Sequence, residues 1–83
     1  MQRDYLLEKH SVKVFGHSTS VTLEHIFWRY LKKIARRKGT SLQQLIESVD
    51  EGRSGNLSST LRVFILKEVE RRSHIDMFAS FHE

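Results

Sequence analysis

The sequence contains no cysteine. That excludes disulfide staples and every thiolate-based zinc motif, and it fits a reducing compartment. There is also no long uncharged apolar run and no segment organised like a secretion signal, so the expectation is a cytoplasmic protein without a membrane span. The five histidines, at positions 10, 17, 25, 74 and 82, fall at no metal-ligand spacing, and no paired-carboxylate, nucleophile or phosphate-loop motif is present. These absences argue against an enzyme, a metal centre and a bound cofactor. An 83-residue chain buries a limited share of its surface, and without a staple the remaining support is association between copies.

What is present is the composition of an ordinary folded domain, 39% hydrophobic and 29% charged, with 14 basic against 10 acidic residues. The positive charge is unevenly placed. Residues 24–38 carry six basic side chains and one acidic, whereas residues 39–56 carry one basic and three acidic. A basic stripe is the footprint of a polyanion binder, nucleic acid ahead of anionic membrane, and it is also the pattern of a solvated helix face.

Residues 1–10 show no sustained period and form an N-terminal arm, either a short helix or a loose segment. From Ser11 the pattern alternates: Val12 and Val14 oppose Ser11 and Lys13, and after Gly16, Thr19, Val21 and Leu23 oppose Ser18, Ser20 and Thr22. Gly16 marks a bulge, a turn or a close approach, so this is one kinked strand or two short ones. Its unpaired edges are most simply satisfied by the same strand of a second copy. From Glu24 to Lys38 the period is helical, with Phe27, Leu31, Ile34 and Ala35 on one face and Trp28 and Tyr30 at its flanks. Gly39 stops that helix, and Ser41 with Gln44 makes a capping box for the next, whose Leu42, Leu45, Ile46 and Val49 share a face. Turn formers crowd residues 52–56, a third helix with several apolar faces runs from about Leu57 to Arg72, and residues 73–83 form a tail without clear period.

The run Gly16-His17-Ser18-Thr19-Ser20-Val21-Thr22-Leu23-Glu24, then Phe27-Trp28, then Asn56-Leu57-Ser58-Ser59-Thr60-Leu61-Arg62-Val63-Phe64, resembles a bacterial ribbon-helix-helix family with the pattern GHxTSxxLE, FW and NLSSxxR. The resemblance covers about residues 11–72. It implies a mainly α fold with a short N-terminal β-ribbon, built as an intertwined homodimer of the Arc and MetJ type with an additional C-terminal helix. In that fold two copies of the strand form an antiparallel ribbon that enters the DNA major groove. The expected function is sequence-specific or semi-specific binding of double-stranded DNA by a small transcriptional regulator.

On that expectation the strand period turns Thr19, Val21 and Leu23 inward and leaves Ser18, Ser20 and Thr22 to face the bases, with Lys13 as a charged addition. Hydroxyls read base edges less sharply than the long basic side chains common in the family. His17 is a further charged contact or, preferably, a packed or turn-stabilising histidine. Thr40, Ser41 and Leu42 at the start of the second helix form the expected phosphate clamp, Ser41 serving equally well as a simple N-cap. Arg29, Lys33 and Arg36 are further phosphate candidates. Phe27 and Trp28 read as core rather than as base-stacking residues. Arg62 is either exposed or paired with Glu24 or Asp50 across the dimer. Two rival readings remain. One keeps the dimer as an antitoxin-like or adaptor module, whose tail residues Ile75, Met77, Phe78 and Phe81 bind a protein partner. The other treats Phe27 to Lys38 as a membrane-surface or calmodulin-target helix, against which the capped helix that follows argues for core packing.

Overall fold

The computed structural model describes residues 2–53 and 55–81, with side chains up to Ser73. A 3-10 turn, Gln2–Tyr5, leads into strand β1 (Leu7–Val14), strand β2 (His17–Glu24) and helices α1 (His25–Lys38), α2 (Leu42–Glu51) and α3 (Leu57–Phe81). The ribbon is therefore two strands folded back on each other, antiparallel, from Leu7↔Glu24 to Val14↔His17. Phe15 and Gly16 make the two-residue turn, both at positive φ (50° and 84°), the requirement of the type I′ hairpin turn whose twist matches the strands. Gly16 reaches that region freely, whereas Phe15 is held there with its N–H donating to Glu47 Oε2 of α2 at 2.9 Å.

Strand β1 starts at Leu7, so residues 7–10 belong to the sheet and not to an arm. The inward positions there, Glu8 and His10, are polar and found partners: Glu8 receives His25 Nδ1 at 2.8 Å, and His10 stands edge-on to the Trp28 ring at 4.3 Å. Trp28 lies within the core, 2% exposed, rather than at the flank of α1, because its indole N–H donates to the Glu8 carbonyl at 3.0 Å.

One face of the hairpin (Val14, Val21, Leu23) packs on Trp28, Leu31, Ile34 and Ala35 of α1, Leu45 and Ile46 of α2, and Leu57, Leu61 and Ile65 of α3. Gly39, at φ 70°, ends α1 in a left-handed cap, with Thr40 N–H bonded to Ala35 C=O at 3.0 Å. Asn56 caps α3 through Oδ1, which accepts the Ser59 N–H at 2.7 Å. No glycine or proline interrupts residues 57–81, and α3 runs on to Phe81, past the end expected at Arg72. The side chains of Ile75, Met77, Phe78 and Phe81 lie outside the described residues. Within the chain, α3 buries one stripe and leaves Val63, Leu66 and Val69 exposed at 52%, 64% and 37%.

Candidate nucleic-acid interface

The outer face of the hairpin collects side chains that the core excludes. Ser18, Ser20 and Thr22 of β2 stand opposite Lys13, Ser11 and Lys9 of β1, in that order. Lys13 thus joins the three hydroxyls on one face, although one strand removed from them. Lys9 joins it as well, a residue hidden in the N-terminal segment that shows no period in the sequence. The face is polar from Lys9 to Lys13 and carries no carboxylate over that length. Glu24, at its end, has its carboxylate bound to Arg62 Nε at 3.0 Å. His17 falls on the other parity, beside the turn, and borders a depression with Val14, Phe15, Thr19, Asp50, Arg53 and Leu57.

Backbone phase decides what the strand edges offer. The ladder continues past its last pair through His25 N–H to Leu6 C=O at 2.8 Å. Bonded pairs alternate with non-bonded ones in an antiparallel sheet, so the odd residues of β2, from 17 to 23, direct their peptide groups toward β1. The N–H and C=O groups of Ser18, Ser20 and Thr22 therefore point to the opposite edge, which no strand occupies among the described residues.

At the start of α2, Ser41 is the N-cap. Its Oγ accepts the Gln44 N–H at 3.0 Å, and Gln44 Oε1 accepts the Ser41 N–H at 3.2 Å and the Thr40 hydroxyl at 2.7 Å. Both hydroxyls are engaged in the cap, leaving the Leu42 and Gln43 N–H groups of the first turn without intrahelical partners. This terminus shares a depression of about 400 Å³ with Phe15 of the hairpin turn, bordered also by Glu47 and Glu51. The three α1 cations are placed differently. Arg29 Nη1 binds Asp4 at 2.9 Å, Lys33 lies over the Tyr30 ring at 5.1 Å, and Arg36 is exposed in the last turn. They belong to the helical layer and are not gathered with the hydroxyls. Arg62 pairs with Glu24 inside one chain, beside the Phe27 ring at 5.9 Å, while Asp50 takes Arg53 at 3.0 Å.

Two carboxylates are shifted. The hydrogen bond from His25, helped by His10, holds the Glu8 pKa below the ordinary carboxylate value. Its own backbone N–H, then Arg62, lower that of Glu24. Among the described residues no group of histidine and carboxylate side chains could hold a metal, and no helix is long and apolar enough to cross a membrane.

A hairpin whose second strand feeds a helix, a glycine turn and a capped helix is the order of elements in a known fold, and a family model described as a ribbon-helix-helix domain matches residues 7–69. The chain belongs to the ribbon-helix-helix domain family. This family is generally DNA-binding and regulatory. The chain is also similar to the solved structure of an uncharacterized protein from Bordetella pertussis Tohama I, at 35% identity and a TM-score of 0.78, over 89% of this chain. It spans 64% of that protein's length. No curated protein matches the chain. In this ribbon-helix-helix domain the strand that leads directly into α1 is β2, and β1 is a second strand laid along it.

Proposed function

We propose that two copies pair β2 to β2 about a two-fold axis and that the resulting sheet binds double-stranded DNA in the major groove, as a small transcriptional regulator. The reading is that of a cytoplasmic, non-enzymatic DNA-binding homodimer. The observation that carries it is the outer face of the hairpin, where Ser18, Ser20 and Thr22 stand in one row beside two lysines, without carboxylates among them. Edge chemistry supports the choice of β2 as the pairing strand. The β1 edge bears Lys9 and Lys13, and at its end the Phe15 N–H is already taken by Glu47. Strand edges are commonly guarded in this way, by lysines and covering elements. At Ser18, Ser20 and Thr22 the β2 edge bears only short hydroxyl residues. The exposed stripe Val63, Leu66 and Val69 supports association further, since a second copy would cover it.

The test is retention on fragmented genomic DNA across a salt series, comparing the wild type with the Ser18→Ala, Ser20→Ala, Thr22→Ala triple variant, with light scattering to establish the dimer. Enrichment of a discrete site by the wild type, lost in the triple variant, is the expected result, because hydroxyls contact base edges while counterion release supplies the salt dependence. A folded dimer that retains no DNA at low salt overturns the reading and turns attention to a protein partner.

A further inference from the structure

We propose that Lys9 and Lys13 of β1 grip the phosphates on the walls of the groove, while the β2 hydroxyls alone face the bases. The inference rests on the DNA-binding reading above and goes beyond it by giving the added strand a separate task. Its basis is width. Pairing through the free β2 edge produces the strand order β1-β2-β2-β1, in which the two central strands are one spacing apart, roughly 4.8 Å, and the outer strands three spacings apart, roughly 14 Å. The major groove is about 12 Å wide. Two strands fit between its walls and four do not, so the outer strands ride over the sugar-phosphate backbone.

The side chains suit the two positions. Lys9 and Lys13 are four residues apart on one face of β1, directly across from Thr22 and Ser18, and both are exposed. The long, strongly hydrated ammonium of lysine is a point charge suited to a phosphate, without the forked geometry that arginine brings to a guanine edge. Ser11 between them is short and neutral. No described ion pair engages either lysine, whereas Arg29, Lys38, Arg53, Arg62 and Arg71 each have a carboxylate within 4.0 Å. Lys13, expected from the sequence to face a base, is thereby reassigned to the backbone, and Lys9 is added.

Phosphate contacts and base contacts leave different signatures. The slope of log K against log salt changes by about 0.9 for each phosphate contact, so removing four from the dimer flattens it by about 3.6. The experiment measures that slope, and the preference for the enriched site over random fragments, for the wild type, the Lys9→Gln, Lys13→Gln double variant and a Lys67→Gln control on α3. Light scattering and circular dichroism accompany each protein. The expected result is a slope flattened by three to four in the double variant with its site preference kept, and an unchanged slope in the control. An unchanged slope in a folded, dimeric double variant overturns the lysine assignment alone, as does a lost site preference at constant slope, which would make the lysines base readers. Failure of the wild type to retain DNA overturns both readings together.

Discussion

Replacing Ser20 with proline separates pairing between copies from folding within one copy. The register and the His25 to Leu6 bond fix the backbone phase, and with it the direction of the Ser20 N–H, away from β1. Proline is tolerated in a strand where the missing donor faces outward, so the hairpin keeps its own ladder. In the proposed dimer the same N–H donates to the partner strand. Each copy offers three edge residues, Ser18, Ser20 and Thr22, and the variant removes one donor per copy while its ring crowds the facing carbonyl. Two lost bonds, with two carbonyls left unpaired, cost on the order of 2–6 kcal/mol, which weakens the dimer about 30-fold to 10⁴-fold. The assay is sedimentation equilibrium over a concentration series, with circular dichroism at each point. Val21→Pro is the opposite control, since its N–H faces His10 across the hairpin and its loss unfolds the strand pair. A Ser20→Pro protein that dimerises as tightly as the wild type refutes pairing through β2 and leaves α3 as the site of association.

Two further outcomes follow from the hairpin and its anchors. Phe15→Asn should raise stability by about 1 kcal/mol, because a bulky residue at φ 50° is strained where asparagine is tolerated, and because the Phe15 side chain is 53% exposed and loses little burial. Urea unfolding at fixed protein concentration measures it, and an unchanged or lower midpoint contradicts the strain argument. The carboxylates of Glu8 and Glu24 both have folded-state pKa values below the ordinary 4.5. Their contribution is therefore complete above that value and is lost as pH falls through the lowered values. A Glu8→Gln variant should show a shallower fall of Tm with acidification than the wild type, and equal slopes would remove Glu8 as an anchor of β1.

Much of this architecture is legible in the sequence, and what escapes it does so for identifiable reasons. The α1–Gly39–α2 unit is visible because a glycine stop, a capping box and two apolar stripes agree, and each appears in the structure with its bonds made. The outward parity of Ser18, Ser20 and Thr22 follows from strand alternation alone. The first half of β1 is hidden because its inward residues, Glu8 and His10, are polar and satisfied by His25 and Trp28 of α1. Alternation of apolar residues signals a strand only where the buried face is apolar. Losing that half strand also conceals Lys9, and it makes pairing with a second copy the simplest way to satisfy the ribbon, when β1 already satisfies one edge. The Arg62 and Glu24 partnership is readable as chemistry, but whether it closes within a chain or between chains depends on how α3 packs against the junction of β2 and α1, which spacing does not fix.

A hairpin has two edges, and a molecule that could pair through both would add copies without limit. Here the edges are unlike. One is a short run of hydroxyl residues whose peptide groups meet no strand among the described residues, and the other carries two lysines and ends at a peptide group held by Glu47. If only the hydroxyl edge accepts a copy of itself, as proposed, assembly about a two-fold axis would consume it and stop. In the proposed dimer the strand that widens the sheet would therefore also set its final count at four, and the asymmetry of one hairpin would separate a closed dimer from a growing fibre.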